Sequence, residues 1–182
     1  AVVGAGTAGL YCTIELLEAL PKFAKVDLVH SKSISPIEVG ESSLISFPHA
    51  LSCGVDYIHH FDSKELGSTI KYGVQFKNWN GVGLIPFASG SYGIQFDTTK
   101  FPQFVIPRLH KMYSNFSEKV RTIKEIKSLG RKASLDGEEY DFIVDCRGYP
   151  EDYSNYIISD NVYLDSAIAI RSYTPGDWEY TY

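Results

Sequence analysis

The sequence predicts an α/β protein that begins with a Rossmann-like unit and combines a parallel sheet with additional antiparallel strands. The first observation is the order of patterns at the start of the chain: apolar Val2-Val3, a glycine-rich segment at 4–9 and a helical repeat. A second short apolar run, 26–29, follows the helix, and such a crossover places two strands in parallel. Apolar and polar residues alternate over 70–79, which predicts a half-buried strand of the kind common in antiparallel sheets.

The first helix is predicted from Leu10, Ile14 and Leu17, which recur at helical spacing before Pro21 ends the pattern. Polar residues with Pro and Gly over 31–44 indicate a loop. We predict one helix over residues 45–61 and a loop over 80–93. A further helix is expected to begin at Asp97 or Thr98, whose side chains can cap it, and to run to about Tyr113 with a kink at Pro107.

The last third of the chain predicts strands at 120–126, 140–146 and 162–171. Asp136-Gly137 is a turn signal between them. The chain shows no internal repeat, low-complexity tract or linker, which favours one domain. Ala1 lies inside an apolar run, so the first strand is shorter than the usual ~5 residues and we expect residues in front of it.

Composition excludes several classes of protein. The 182 residues carry 17 Lys+Arg and 22 Asp+Glu, a net charge of −5, so a concentrated basic face for nucleic acid is not expected. No apolar run approaches the ~18 residues of a membrane span, and Glu15 and Glu18 argue against a signal peptide. Cys12, Cys53 and Cys146 are odd in number and widely spaced, which favours a reducing compartment and a soluble, cytoplasmic protein.

The Gly4-x-Gly6-x-x-Gly9 spacing predicts a dinucleotide site, because a strand precedes it and a helix follows. Glycines there allow a tight turn, close approach of the backbone to a pyrophosphate, and close packing of helix on strand. The helix N-terminus then offers free N–H groups to the phosphates. An acidic residue that binds the ribose is expected ~20 residues on, but His30 stands there, with Ser31 beside it, and no Arg favours NADP.

Five segments in order resemble those of the flavin-dependent tryptophan halogenases, and together they extend over nearly the whole chain. The first is the glycine-rich turn, and the second, Val39-Gly40-Glu41-Ser42-Ser43, is called the strap below. The third begins with Lys71-Tyr72-Gly73 and the fourth ends with Asp145-Cys146-Arg147-Gly148. The segments are 4–9, 39–43, 71–79, 142–148 and 164–167. The resemblance implies that residues 1–182 are the FAD-binding domain of such an enzyme, incomplete at both ends.

In this family the glycine turn holds the FAD pyrophosphate and the strap passes beside the flavin ring. The resemblance therefore implies FAD, not NAD, and a set of residues that contact it. They are Gly4, Gly6, Thr7, Ala8, Gly9, His30, Ser31, Val39, Gly40, Glu41 and Ser42. Only one glycine-rich unit is present, so we expect no NAD(P)H site and a separate flavin reductase as partner. The oligomeric state, a homodimer included, is left open.

Lys71 matches the lysine that the family places at the far end of a tunnel from the flavin. The chemistry implied is that reduced FAD, O₂ and a halide ion yield hypohalous acid, which travels to the lysine. The ammonium then directs or carries the halogen to a small, electron-rich aromatic substrate. A lysine suits this role because its pKa falls readily on desolvation. We expect Lys71 to face a cavity that Trp79 and Gly73 help to line.

The residues alone allow blander interpretations. Alternation places Lys71 with Gln75 and Lys77 on what looks like a solvent face, and Glu41 could be a solvated loop carboxylate. The histidines, His49, His59 and His60, lack metal-ligand spacing, so no metal is expected. Asp145 and Cys146 are more typical of structural residues than of catalysts. Two rival functions stay open: a single-component flavin monooxygenase and a non-catalytic flavin-binding remnant.

The sequence also departs from the family pattern. Ser35 and Glu38 stand where proline and glycine are common, His30 replaces an acidic residue, and Ser42-Ser43 replace Ala-Thr. The segment 80–92 is short for the region that helps to build the substrate pocket. Neither Trp79 nor Trp178 belongs to the family's Trp-x-Trp-x-Ile-Pro motif, and the glutamate that works with the lysine is also expected beyond residue 182.

Overall fold

The computed structural model of the protein describes residues 1–33, 40–78 and 83–148. Four helices are found there: α1 (Thr7–Ala19), α2 (Ser46–Val55), α3 (His59–Leu66) and α4 (Phe101–Met112). The strands of the described residues are β1 (Val2–Val3), β2 (Val26–His30), β3 (Gly40–Ser42), β4 (Thr69–Lys71), β5 (Gly73–Gln75), β6 (Leu84–Pro86), β7 (Gly93–Asp97), β8 (Phe116–Val120), β9 (Ile126–Ser128), β10 (Ala133–Leu135), β11 (Glu138–Tyr140) and β12 (Val144–Asp145).

A four-stranded parallel sheet in the order β12-β1-β2-β8 forms the Rossmann-like part, which confirms the predicted β–α–β start. The α1 helix packs on one face of this sheet because Leu10, Ile14 and Leu17 share one side of the helix and are buried. The main core lies there, between the sheet, α1, α2 and α4. The side chains of Val3 and Val29 belong to a second cluster, with Leu135 of β10.

An antiparallel meander, β9-β10-β11, contributes Leu135 to that second cluster. Its β10–β11 turn is Asp136-Gly137, as predicted, and both residues have positive φ, at 51° and 89°. Tyr140 of β11 ties the meander to the parallel sheet, because its hydroxyl donates to Asp27 of β2 at 3.1 Å; Lys119 of β8 lies 2.7 Å from the same carboxylate. Burial opposes the charge on Asp27, but hydrogen bonds from Lys119, Ser117 and Tyr140 prevail and lower its pKa.

A three-stranded antiparallel sheet, β3-β7-β4, has β7 at its centre. A separate two-stranded hairpin, β5-β6, follows β4 along the chain. Phe96 of β7 stacks on Phe47 of α2 with ring centroids 4.9 Å apart, and Phe47 stacks in turn on Tyr11 of α1 at 5.5 Å. These rings join the antiparallel sheet to the Rossmann-like part. The predicted mixture of parallel and antiparallel strands is therefore confirmed.

The predicted single helix over 45–61 is wrong, because the chain breaks between α2 and α3. Asp56 ends α2 in the left-handed conformation, with φ 53°, which Asp tolerates better than most residues. The break lets Tyr57 enter the core, where its hydroxyl lies 3.0 Å from Ser68 Oγ and 2.8 Å from His59 Nδ1. Burial is the main cause that raises the pKa of Tyr57 to about 12.

The strand predicted over 70–79 is two strands with different partners. β4 pairs with β7, and β5 pairs with β6, so the ladder changes at Tyr72, whose carbonyl accepts the Phe87 N–H at 2.7 Å. The loops predicted at 31–44 and 80–93 are wrong where they contain β3 and β6. β3 is defined by its pairing with β7, more than 50 residues later, and β6 by the hairpin with β5, and neither three-residue strand has a local pattern of its own.

Several helices and strands begin or end at other residues than the sequence predicts. Helix α4 begins at Phe101, not at Asp97 or Thr98, because Asp97 ends β7 and its Oδ1 accepts from the Thr99 N–H at 3.0 Å. Of the strand predicted at 120–126, only the two ends lie in strands: Val120 ends β8, Ile126 begins β9, and residues 121–125 connect them. Asp136 Oδ1 holds that connection by accepting from Lys124 and Glu125 N–H.

The strand predicted at 140–146 is likewise divided between two sheets. Tyr140 ends β11 in the meander, and only Val144–Asp145 form β12 at the edge of the parallel sheet. The chain therefore crosses from one sheet to the other within this apolar segment. The strand expected at 162–171 and the segment 164–167 lie outside the described residues, as do Val39, Trp79 and Trp178.

Candidate functional site

The first glycine of the motif makes the tight turn after β1. Gly4 has a φ of +108°, and its N–H donates to the Val29 carbonyl at 2.8 Å. A Cβ on Gly4 would lie 2.6 Å from the Cys146 carbonyl oxygen. Both the conformation and the space therefore exclude a side chain.

The other two glycines differ in what surrounds them. A Cβ on Gly9 would lie 1.9 Å from the Gly4 carbonyl oxygen, so α1 packs on the turn at a distance that only glycine permits. A Cβ on Gly6 would meet no atom of the described residues within 4 Å. Gly6 is the N-cap of α1, and the first turn of that helix has no acidic side chain. This end of α1 therefore faces open space and suits an anion.

A cleft of about 470 Å³ lies at this end of α1 and extends to the strap. Thr7, Ala8, Glu41 and Ser42, four of the predicted cofactor residues, line it together. The other lining residues are Tyr11, Ser43, Leu44, Ser46, Phe47 and Phe96. The cleft thus combines backbone N–H groups, a few polar side chains and an aromatic wall, which is the usual character of a cofactor site.

Lys71 lies on the face of the β3-β7-β4 sheet opposite to the face that bears Glu41 and Phe96 and lines the cleft. It pairs with Gly93, whereas Glu41 pairs with Phe96, and residues 93 and 96 of one strand point to different sides. The Lys71 side chain is only 7% exposed, against the alternation that suggested solvent. Its Nζ donates to the Ser43 carbonyl at 3.2 Å and lies 5.5 Å from the Phe87 ring centroid. The strap therefore separates the cleft from the lysine and contacts both.

Burial lowers the pKa of Lys71, because an ammonium removed from water is disfavoured relative to the neutral amine. In the described ranges, no carboxylate forms an ion pair with this ammonium. A phenyl face and a backbone carbonyl offset the charge only in part. Lys71 is thus a buried amine that is more easily deprotonated than an exposed lysine.

His30 and Ser31, the predicted ribose contacts, lie at the end of β2. His30 Nε2 is 2.7 Å from Glu118 Oε1, and Glu118 Oε2 is 3.3 Å from His110 Nε2. Burial opposes the charge on Glu118, but the two histidines prevail and lower its pKa. The Ser31 hydroxyl contacts Ser33 Oγ at 2.7 Å. The structure therefore shows His30 committed to a carboxylate on β8.

Sequence reasoning missed the residues that surround the lysine. The sequence places Ser43 in the strap but assigns it no contact with the lysine, and it predicts only a loop for the segment that contains Phe87 and Gly93. Gly93 is the residue type that the site requires, because a Cβ there would lie 2.6 Å from the Ser43 carbonyl oxygen, but this crowding is seen only in the folded structure. Pairing of β7 with both β3 and β4 brings these residues together.

Two further properties of the described part of the chain bear on the site. Among its helices, none combines the length and apolar character needed to span a membrane. No group of three or more His, Cys, Asp or Glu side chains within residues 1–33, 40–78 and 83–148 is arranged to hold a metal ion.

Solved structures share this fold at low sequence identity. A tryptophan halogenase from Shewanella frigidimarina aligns with a TM-score of 0.61 and 15% identity, over 80% of this chain and 41% of its own. A flavin-dependent halogenase from Xanthomonas campestris gives 0.64 and 16%, over 80% and 41%. A tryptophan 6-halogenase from Streptomyces toxytricini gives 0.60 and 16%, over 81% and 43%.

The chain spans about two fifths of the length of these proteins. A search of curated proteins finds no match to the sequence. The sequence model of the tryptophan halogenase family matches residues 1–136, most of the 182, in agreement with the resemblance of the motifs. The chain belongs to the tryptophan halogenase family.

Proposed function

We propose that residues 1–182 form the FAD-binding domain of a flavin-dependent halogenase, which halogenates an electron-rich aromatic substrate with reduced flavin, O₂ and halide. The observation that carries the proposal is the position of the strap. Its residues Glu41 and Ser42 line the cleft at the glycine turn, and its Ser43 carbonyl accepts a hydrogen bond from buried Lys71. The proposed cofactor site and the amine of Lys71 would thus lie on two sides of one strand.

The residues at the cleft suit FAD. The turn at Gly4 and Gly9 admits no side chain, and the space in front of Gly6 is open, as close approach of a pyrophosphate requires. The aromatic wall formed by Tyr11, Phe47 and Phe96 would contact the flavin. When bound, FAD supplies the electrons that activate O₂ and so permit oxidation of a halide ion.

The chain's own groups would hold the cofactor. Backbone N–H groups of Thr7 and Ala8, at the start of α1, would bind the phosphates, and Gly40, Glu41 and Ser42 would pass beside the ring. His30 and Ser31 would face the ribose, and the contact between His30 and Glu118 would orient the imidazole. Val39 is assigned to the strap by its place in the sequence.

Lys71 would act on the halogen after it leaves the cleft. The side chain keeps one hydrogen bond, to Ser43, and burial favours release of its proton. Hypohalous acid reaching Nζ would accept a hydrogen bond from the protonated amine. Alternatively, the neutral amine would attack the halogen, so that an N–halogen bond forms, the O–halogen bond breaks and water leaves with a proton from the amine. Either form directs the electrophilic halogen toward an aromatic substrate beside the lysine.

The partners of the proposed enzyme follow from the same scheme. A separate flavin reductase would supply reduced FAD, because only one glycine-rich unit is found in the sequence. The expected result is that NADH added without a reductase leaves the flavin oxidised in the full-length protein. Reduction of the flavin by NADH alone would contradict this part of the proposal.

FAD binding is tested by fluorescence titration of the full-length protein with FAD and, in parallel, with NAD. The wild type should bind FAD and become yellow, whereas Gly6→Val should lose most affinity because the side chain fills the open space at the turn. Gly83→Val is the matched control, because a Cβ there also meets no described atom within 4 Å. NAD binding at the turn without flavin affinity would refute the proposal.

The rival function, a single-component flavin monooxygenase, shares the glycine turn but does not need Lys71. Reduced flavin, O₂ and a panel of aromatic substrates should give product only when chloride or bromide is present. An oxygenated product in the absence of halide would instead favour the monooxygenase.

A further inference from the structure

The position of the Lys71 amine depends on a backbone carbonyl. A lysine side chain has four rotatable carbons, so its amine is poorly placed unless an acceptor fixes it. Here Nζ donates to the Ser43 carbonyl at 3.2 Å, with the Phe87 ring 5.5 Å away. The hydrogen bond to this carbonyl therefore fixes the position and orientation of the amine.

Ser43 is itself held to β7 by two hydrogen bonds to one residue. Its N–H donates to the Ile94 carbonyl at 2.8 Å, and its hydroxyl oxygen accepts from the Ile94 N–H at 2.9 Å. The hydroxyl continues the β3–β7 ladder one residue past Ser42, the last residue of β3. Ile94 pairs with Ile70 on the other side, so the ladder fixes Ser43 relative to β4 as well.

Gly93 leaves the space that the carbonyl occupies. It lies directly opposite Lys71 in the β4–β7 register, and its φ is outside the left-handed region. A Cβ at this position would lie 2.6 Å from the Ser43 carbonyl oxygen and 3.3 Å from Phe87 Cε2. The backbone at 93 could adopt the conformation with a side chain, so crowding against Ser43 is the reason for glycine.

We propose that Ser43 and Gly93 are positioning residues for Lys71: Ser43 presents its carbonyl to the amine, and Gly93 keeps that carbonyl within reach. The consequence for halogenation rests on the proposed function, whereas the geometry of the amine does not. Displacement of a reacting group by about 1 Å can reduce a rate ~100-fold, so small shifts of the carbonyl matter.

The experiment compares four full-length variants with the wild type. Gly93→Ala pushes the carbonyl away from the amine, and Ser43→Ala removes the hydroxyl that holds it. Ser43→Thr keeps the hydroxyl and serves as the conservative rescue. Gly83→Ala is the matched control, because its Cβ meets no described atom within 4 Å.

The first readout is an NMR titration of the ¹⁵N-labelled Lys71 amine, assigned by the signal that disappears in Lys71→Met. A hydrogen bond to the ammonium stabilises the charged form, so loss of the Ser43 carbonyl should lower the pKa of Lys71 below the wild-type value in Gly93→Ala and Ser43→Ala. Ser43→Thr and Gly83→Ala should titrate like the wild type.

The second readout is the ratio of halogenated product to flavin oxidised. Gly93→Ala should reduce this ratio ~100-fold and Ser43→Ala about tenfold. Because the ratio counts product per flavin oxidised, it is independent of any change in the rate of flavin oxidation itself. Should Gly93→Ala not fold, Ser43→Ala and its Thr rescue carry the test. Wild-type pKa values and ratios in both alanine variants, or no rescue by Thr, would overturn the proposal. A wild type without halogenation would refute the proposed function alone, because the titration still reports on the amine.

Discussion

The glycine turn and the lysine site are built in opposite ways. In the turn, the motif lies within six consecutive residues of one strand–helix connection, and Gly4 meets Gly9 directly. At the lysine site, Lys71 bonds to a carbonyl 28 residues away, and Gly93 opposes it from a third strand. One region is encoded by local spacing, the other by the pairing of β3, β7 and β4.

The difference shows why glycine has two distinct roles here. At Gly4 it supplies a conformation that other residues avoid, and at Gly9 and Gly93 it supplies space beside a carbonyl oxygen. The glycine motif predicts Gly4 and Gly9, because both lie in one local turn. The need for glycine at 93 becomes visible only once the strands are paired.

The largest effect is expected where the two regions meet, at Phe47. This buried ring stacks on Tyr11 of α1 and on Phe96 of β7, so Phe47→Ala should destabilise the protein by about 4 kcal/mol, through lost burial and the cavity left behind. Urea unfolding measures the change. Phe61→Ala, at a ring 75% exposed, should alter stability by less than ~0.5 kcal/mol. Equal effects of the two variants would show that the regions are not joined through Phe47.

A smaller loss of stability is expected from a substitution at Gly9, in the glycine turn. Gly9→Ala gains helix propensity, but its methyl meets the Gly4 carbonyl at 1.9 Å, so we expect a net loss of about 2–3 kcal/mol in unfolding free energy. Gly6→Ala, with no described atom within 4 Å, should leave the unfolding free energy nearly unchanged. A Gly9→Ala variant as stable as the wild type would contradict the packing described for the turn.

The smallest expected effect is a gain in the free energy of unfolding, from a substitution at Lys71. Lys71→Met removes a buried charge that no described carboxylate pairs with, and should stabilise the protein at pH 7 by more than the ~0.5 kcal/mol within which exposed substitutions fall. Because the folded-state pKa of Lys71 is lowered, the unfolded chain binds more protons between that pKa and the ordinary value near 10.5. Wild-type stability therefore rises with pH across this window, and the gain of the variant shrinks.

Urea unfolding at pH 7 and pH 10 checks this expectation. Lys77→Met is the matched control, since Lys77 is exposed and its replacement should alter stability by less than ~0.5 kcal/mol at either pH. A gain for Lys71→Met that stays constant between the two pH values would show that the lysine charge is not the cause.

The Rossmann-like part could be predicted from sequence because its signals are local. The apolar Val2-Val3 pair, the three glycines and the spacing of Leu10, Ile14 and Leu17 all lie within adjacent elements. The Asp136-Gly137 turn was predictable for the same reason. In each case one residue type is required by a conformation or a face that neighbouring residues define.

The antiparallel part could not be predicted in the same way. The segment 70–79 alternates as one strand would, but its halves pair with β7 and β6. Alternation also assigned Lys71 to solvent, because it identifies two faces without saying what covers them. Phe87, which follows β6, and Ser43 of the strap cover the face that bears Lys71, and both contact the lysine. The lysine itself was found only through the resemblance of motifs.

We propose that the cleft holds FAD and that Lys71, behind the strap, transfers the halogen. The most direct test follows halogenated product and flavin oxidation together in full-length wild type and Lys71→Ala, with reduced FAD, O₂ and bromide. We expect Lys71→Ala to lose halogenation while FAD binding and flavin oxidation continue at the wild-type rate, because the lysine acts after the halide is oxidised. Halogenation by Lys71→Ala at the wild-type rate would contradict the proposed role of Lys71.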